Sequence, residues 1–113
     1  MQRGYEAYLK DILEAIRKIE NYTENMSYED FLKDELRQDG VVKNLEVIGE
    51  AVKNIPDDLK STKPDIEWKK IAGLRDILTH EYFGINFEIV WDIISNKIPD
   101  LKKNVKELLY KIM

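Results

Sequence analysis

Apolar residues recur at intervals of three and four along most of this chain, and this spacing restricts its fold more than any other feature. Such a stripe covers one side of an α-helix, which turns once in about 3.6 residues. No stretch alternates apolar and polar residues over a useful length, so strands are not expected. The sequence predicts an all-α protein, an up-and-down bundle of four or five helices. The three long stripes are Tyr5, Leu9, Ile12, Ile16, Ile19 and Tyr22; Val41, Leu45, Ile48, Val52 and Ile55; and Phe87, Val90, Trp91, Ile94, Ile98, Leu101, Val105, Leu108 and Ile112.

Capping residues predict where the first helices begin and end. A first helix is expected from about residue 2 to 25, and a second long helix from about 34 to 54. Between them, Ser27 and Asp30 resemble a capping box, which predicts a short helix with its aromatic residues Tyr28 and Phe31 turned inward.

The later helices carry similar signals. Asp65 is suited to cap a central helix that has Glu67 in its first turn, and this helix is expected to end near Phe83, because Gly84 is able to take the left-handed conformation. Asn86 is expected to cap the last helix. Because the apolar spacing continues through Pro99, a kinked continuous helix is predicted there rather than two separate helices.

Two glycines interrupt the second long helix. Gly40 and Gly49 each cost about 1 kcal/mol relative to alanine in a helix interior, a cost that close approach of another helix usually offsets. Glu50 lies opposite the core stripe of this helix, so it is expected to face solvent, a partner subunit or a site.

Length and charge narrow the possible functions. The 113 residues suit one domain spanning 1–113, and the absence of cysteine excludes disulfides and thiolate metal sites. No apolar run is long enough to span a membrane, so a soluble cytoplasmic protein is expected. Acidic residues outnumber basic ones by 22 to 18, which argues against a broad basic face for nucleic acid but leaves room for a small basic site.

The stretch 68–86 holds the residues best suited to chemistry. It contains the only histidine, His80, with Arg75 five residues before it and Tyr82 two residues after it. On an ideal helix Asp76 lies one turn before His80, close enough to hydrogen-bond the imidazole and set its tautomer. The same geometry predicts two neighbouring stripes, one with Trp68, Ala72, Arg75, Thr79 and Tyr82, the other with Lys69, Gly73, Asp76 and His80.

Arg75 and His80 suit the cleavage of RNA without a metal ion. That reaction needs a base for the ribose 2′-hydroxyl, an acid for the departing oxygen and a cation for the charge on phosphorus. Histidine titrates near neutrality, and arginine donates two parallel hydrogen bonds to phosphate. Because one histidine cannot be acid and base at once, a symmetric dimer that juxtaposes two copies is a natural completion. Thr79 and Lys69 are candidate supporting residues, Lys69 for phosphate.

Other kinds of site lack their residues. A metal centre would need carboxylates for nearly every ligand, and neither a nucleophile elbow nor a glycine-rich phosphate loop is present. No cofactor is expected.

A structural interpretation of the same residues stays open. Arg75 could pair with Glu46, Glu50 or Asp76, and His80 could be a helix C-terminal residue favoured by the helix dipole. Tyr82 could be a core or interface aromatic, as Trp68 and Trp91 are expected to be.

The run RDILTHEY resembles the motif of the HepT-like HEPN family: an arginine, four residues, a histidine, one residue and a tyrosine. The resemblance covers nearly the whole chain, since QDGVVKNLEVIGEA, IEWKKIAGLRDILTH and FGINFEIVWDIISNKIPDL are similar to successive helices of that family. Where the family commonly has alanine, this chain has Gly40.

The resemblance implies a ribonuclease toxin of a toxin-antitoxin pair, acting as a homodimer whose two motifs line a shared cleft. It implies Arg75 and His80 as the catalytic pair and Asp76 as a supporting polar residue. Tyr82 corresponds to the tyrosine that a minimal nucleotidyltransferase antitoxin modifies with AMP. The alternative is a non-catalytic helical module that binds a nucleotide or a partner protein.

Overall fold

A computed structural model describes residues 4–78 and 84–112, and every regular element in these two ranges is a helix. The predicted all-α class is therefore confirmed. None of these helices is both long enough and apolar enough to cross a bilayer. The elements are α1 (Tyr5–Thr23), α2 (Tyr28–Leu32), α3 (Glu35–Val52), α4 (Asp57–Lys60), α5 (Trp68–Ala72), α6 (Leu74–Leu78), α7 (Phe87–Asp92), a π-helical segment (Ile93–Lys97) and α8 (Ile98–Ile112).

The core lies between the long helices. α1 packs along both α3 and α8, and α3 also contacts α5 and α6. Most members of the three predicted stripes are buried, although Tyr5, at the start of α1, is 41% exposed. The fully enclosed side chains include Leu9, Ile12, Ile16 and Ile19 of α1, Val41, Leu45, Ile48 and Val52 of α3, and Leu101, Val105 and Leu108 of α8.

The short helix α2 begins with the predicted capping box. The Asp30 N–H donates to Ser27 Oγ at 3.1 Å, and the Ser27 N–H donates to Asp30 Oδ2 at 3.1 Å. Phe31 is fully buried, with its ring 5.2 Å from that of Trp91, and Tyr28 lies 6.1 Å from the same indole. Local capping and an aromatic cluster therefore fix α2 against α7.

The central segment differs from the single capped helix that we predicted. Helix α5 begins at Trp68 with Glu67 in the N-cap position, and Gly73 separates it from α6. Asp65 does not cap it, since the N-cap position falls two residues later and no side chain makes a capping hydrogen bond there. Instead, the Trp68 indole Nε1–H donates to the carbonyl oxygens of Lys60 and Lys63, each at 3.1 Å, and ties the helix start to the preceding loop.

The predicted end of the central helix near residue 83 lies outside the described residues. Gly84, directly after them, has a φ of 68°, the left-handed conformation expected there.

The last helix is continuous from Phe87 to Ile112 and is capped as predicted, because Asn86 Oδ1 accepts hydrogen bonds from the next residues' N–H groups. Its departure from α geometry is the π-helical segment, which ends two residues before Pro99 and in which the Ile98 N–H donates to the Ile93 carbonyl five residues back. An uninterrupted α-helix would place Ile98 about 80° around the axis from Val90. Both residues are nonetheless buried in the core, so the wider π turn absorbs this drift.

Candidate functional site

Arg75 is exposed on α6 and lines a groove of about 420 Å³. The other walls come from α1 and from α3 together with Asn54, two residues beyond its end, so three segments distant in sequence meet here. The lining residues are Tyr8, Asp11, Lys43, Glu46, Val47, Glu50, Ala51, Asn54 and Arg75.

Gly49 determines how closely α3 approaches the central segment. A Cβ at this position would lie 3.0 Å from the Ile71 carbonyl oxygen and 3.6 Å from that of Ala72. Because carbonyl oxygens of a packed segment cannot swing aside as a side chain can, only glycine fits here without a backbone shift. The close helix approach predicted for Gly49 is confirmed, and it brings Arg75 to the same groove as Glu50, the residue after Gly49.

Gly40 packs against a different neighbour. A Cβ there would lie 2.9 Å from Cε2 of the Tyr22 ring, which belongs to α1. The approach is again close, but the obstacle is a half-buried side chain rather than backbone.

The groove carries more acidic than basic side chains. Asp11, Glu46 and Glu50 contribute carboxylates, whereas Lys43 and Arg75 contribute cations. Glu50 is also bonded by the ammonium of Lys53, whose Nζ lies 3.0 Å from Glu50 Oε1. Within residues 4–78 and 84–112, no three such carboxylates are close enough to hold a metal ion. The groove therefore holds two cations that suit a phosphate, amid carboxylates that oppose non-specific anion binding.

The other predicted site residues are placed as follows. Asp76 is exposed on α6 next to Arg75. Lys69 is exposed on α5 and lines a separate depression beside Trp68 and Lys70. His80, Thr79 and Tyr82 lie outside the described residues, so their geometry relative to Arg75 stays a prediction.

The opposite side of the central segment forms an apolar cleft of about 330 Å³. Ile71, Leu74 and Ile77 face Ile89 and Ile93 across it. At its rim, one carboxylate holds two lysines: Glu67 lies 2.7 Å from Lys70 Nζ and 3.2 Å from Lys97 Nζ. The hydrogen bond from Lys70, and then that from Lys97, lowers the pKa of the Glu67 carboxyl. The pair with Lys97 ties the start of α5 to the π-helical segment.

Tyr8, Asp11 and Lys43 are groove residues that the sequence did not single out. Tyr8 and Asp11 lie one turn apart on the side of α1 that borders α3, and Lys43 projects from α3. In the sequence each is an ordinary residue at the edge of the apolar stripe of an amphipathic helix. Only the packing of α1, α3 and α6 brings them together.

Known proteins similar to this chain share one family. The profile of the family described as Ribonuclease HepT-like matches residues 12–108. A Methanocaldococcus jannaschii protein named as a candidate RNase is 47% identical over 111 residues, covering 98% of this chain and 92% of its own length. A Thermococcus cleftensis protein named as a candidate HepT ribonuclease is 44% identical over 108 residues, covering 96% of this chain and 98% of its own. No solved structure matches the chain.

A third relative, from Caldanaerobacter subterraneus, is also named as a candidate RNase and is 45% identical over 104 residues, covering 92% of this chain and 93% of its own. The resemblance read from the RDILTHEY motif is thereby confirmed over nearly the full length, and at family level the activity is that of a ribonuclease. This chain belongs to the Ribonuclease HepT-like family.

Proposed function

We propose that this protein is a metal-independent endoribonuclease in which Arg75 binds the scissile phosphate and His80 transfers protons. The observation that carries this proposal is the position of Arg75, exposed at a groove of about 420 Å³ between α1 and α3. A permanently charged guanidinium donates two parallel hydrogen bonds to phosphate and stabilises the charge that develops on phosphorus.

The reaction is an internal transesterification. The ribose 2′-oxygen attacks phosphorus and gives its proton to a base, while the bond from phosphorus to the 5′-oxygen breaks and that oxygen receives a proton from an acid. The products are a 2′,3′-cyclic phosphate and a 5′-hydroxyl. Because one imidazole cannot serve both steps in the same turnover, a homodimer with two facing motifs supplies the second histidine. In this scheme Asp76 orients His80 and Thr79 is a supporting residue. Lys69, which lines a separate depression, would hold an RNA phosphate outside the groove.

Replacing Arg75 tests the site. We expect Arg75→Ala to lower RNA cleavage in EDTA by about 100-fold or more, because a charged donor to the transition state is lost. Arg75→Lys keeps the charge but loses the paired hydrogen bonds, so it should restore only part of the rate. The measurement is single-turnover cleavage of a labelled RNA by folded, purified protein, with His80→Ala run alongside.

Arg17→Ala is the matched control for this experiment. Arg17 is an exposed arginine of α1 whose guanidinium binds Glu14, and it does not line the groove. Full activity in Arg75→Ala and His80→Ala would contradict the proposal, and equal losses in Arg75→Ala and Arg17→Ala would mean that charge in general, rather than this groove, governs the rate.

We further propose that the activity is that of a cytoplasmic toxin silenced by a minimal nucleotidyltransferase antitoxin. Transfer of AMP to Tyr82 would add bulk and negative charge two residues from His80 in sequence, beside the proposed site where RNA phosphate has to enter.

Incubation of the protein with its nucleotidyltransferase and ATP should add the mass of AMP at Tyr82, as located by mass spectrometry of peptides, and should stop RNA cleavage. Tyr82→Phe should take up no AMP and remain active in the presence of the partner. An adduct on another residue, or none, would refute this assignment.

The proposed shared site also requires a homodimer. Light scattering should show a dimer at micromolar concentration, and a monomer would contradict a site shared by two subunits.

The excess of carboxylates in the groove favours a second candidate function. With Asp11, Glu46 and Glu50 set against Lys43 and Arg75, the groove also suits a basic segment of a partner protein. A non-catalytic helical module would bind such a partner, or a nucleotide, and cleave no RNA. Tight binding of a partner by the wild-type protein, together with no RNA cleavage, would support the non-catalytic binding module over the ribonuclease.

A further inference from the structure

Tyr110, near the end of α8, is exposed to an unusual degree. Its side chain is 85% exposed, the highest value among the large hydrophobic side chains in the described ranges. Tyrosine normally buries much of its ring, and a ring left open to water is a ready surface for stacking. Because Leu108 and Val105 already fill the core side of α8, Tyr110 contributes nothing to that core.

Lysines surround this ring. Lys63, Lys106 and Lys111 line a depression of about 410 Å³ together with Tyr110 and Glu107. The pKa of the Glu107 carboxyl is lowered, first by its hydrogen bond from Lys63 and then by the nearby charges of Lys103 and Lys111. We call these residues, with Lys103, the Tyr110 patch.

The Tyr110 patch keeps most of its positive charge available. Glu107 is bound by Lys63, and elsewhere along the last helix Lys97 is paired with Glu67 and Lys102 with Glu20. Lys103, Lys106 and Lys111 form no salt bridge in the part of the chain that the structure describes. A chain with a net charge of −4 thus concentrates uncompensated cations around its most exposed described aromatic ring.

We propose that the Tyr110 patch binds single-stranded RNA, with the Tyr110 ring stacked on a base and Lys106 and Lys111 contacting phosphates. Aromatic rings interleaved with cations are the usual means of binding single strands without sequence preference. A double-stranded RNA hides its base faces and could use only the lysines. The choice of RNA as the polyanion rests on the proposed ribonuclease function. The Tyr110 patch lies outside the groove of Arg75, so it would hold substrate rather than cleave it.

The test uses a fluorescently labelled 2′-O-methyl oligoadenylate of twelve nucleotides, which cannot be cleaved because the attacking hydroxyl is blocked. We expect Tyr110→Ala to weaken its binding, measured by fluorescence anisotropy, by about fivefold or more. Tyr110→Phe keeps the ring and should bind like the wild type. Lys106→Gln with Lys111→Gln should reduce the slope of log affinity against log salt by about 1.4.

Matched controls come from exposed residues elsewhere. Leu36→Ala removes a side chain that is 79% exposed on α3, and Lys18→Gln with Lys33→Gln removes two exposed positive charges. Neither should change the binding. All the variants alter exposed side chains, so unchanged thermal unfolding should accompany the result.

Three outcomes would overturn the inference: unchanged affinity in Tyr110→Ala, equal losses in the control variants, or conversion of a wild-type dimer to a monomer by Tyr110→Ala, which would make the Tyr110 patch a subunit interface. Failure of the proposed function looks different. A wild-type protein that binds the blocked oligonucleotide through Tyr110 but cleaves no unmodified RNA would sustain the inference and refute the nuclease.

Discussion

At the scale of single residues, Gly49 shows how one missing side chain positions the candidate site. The backbone of the central segment approaches this glycine so closely that a Cβ would meet the Ile71 carbonyl oxygen at 3.0 Å. Arg75 enters the groove because α6 is held this close to α3. The need for close packing at Gly49 was predictable from helix propensity. Which helix approaches was not, because that depends on contacts between segments more than twenty residues apart.

We expect Gly49→Ala to lower the free energy of unfolding by about 1 kcal/mol, since overpacking against backbone outweighs the gain in helix propensity. Gly40→Ala is the matched comparison, because its obstacle is the edge of the Tyr22 ring, which is able to shift. Gly40→Ala should therefore be nearly neutral. Urea unfolding of the two variants measures the difference. A larger loss of unfolding free energy in Gly40→Ala than in Gly49→Ala would contradict this explanation of how α3 packs against the central segment.

At the scale of elements, the sequence predicted those helix starts whose capping hydrogen bonds join residues that are close together in the chain. The caps at Ser27 and Asn86 lie where the sequence placed them, because each accepts hydrogen bonds from N–H groups within three residues. The predicted cap at Asp65 was wrong, because the helix begins later, with Glu67 in the N-cap position. This start is held by the Trp68 indole, which bonds to carbonyls that only the folded loop brings near. The break at Gly73 was also missed, so the helical stripes drawn for Arg75 and Lys69 assumed a regularity that the segment lacks.

The capping box of α2 predicts a pH dependence. The backbone hydrogen bond from Ser27, and then its side-chain hydrogen bond, lowers the pKa of the Asp30 carboxyl. A lowered folded-state pKa stabilises the protein above the unfolded-state value of about 3.9, and this stabilisation is lost as the pH falls through the folded-state value. Asp30→Asn should therefore be less stable than the wild type at pH 7.

The stability difference between wild type and Asp30→Asn should narrow as the pH falls below about 4, where the carboxyl of the unfolded chain takes up protons, and should be lost once the folded-state carboxyl is protonated as well. Urea unfolding at pH 7 and pH 3 measures it. Asp39→Asn, at an exposed position of α3, is the control and should show no such narrowing. A difference that stays constant with pH would mean that the charge of Asp30 has no part in the cap.

At the scale of the whole molecule, the apolar spacing was enough to predict the helical class and the core, because burial of one stripe per helix dominates the energy of a bundle. It was not enough to predict the groove, whose walls come from α1, α3 and α6. Arg75 was identified from its chemistry and motif, whereas Tyr8, Asp11 and Lys43 carry no motif and became visible only through packing. The net charge likewise did not predict the distribution of charge on the surface, because a chain that is acidic in total still carries the clustered lysines of the Tyr110 patch.

The π turn at Ile93–Lys97 makes the last helix equivalent to a regular helix with one inserted residue. Removing Ser95 would bring Val90 and Ile98 to within about 20° of each other on an ordinary α-helix. Pro99 opposes that change, because a proline inside an α-helix costs about 3 kcal/mol. Deletion of Ser95 combined with Pro99→Ala should therefore preserve the fold by circular dichroism and thermal unfolding.

Deletion of Lys103, an exposed residue of α8, is the comparison, since it rotates the following apolar residues by about 100° out of the core and should be strongly destabilising. Equal damage from both deletions would show that the π turn is not an insertion. If it is one, the last helix tolerates a change of length within the π-helical segment but not within α8. Relatives that lack the turn should then be one residue shorter here and have no proline.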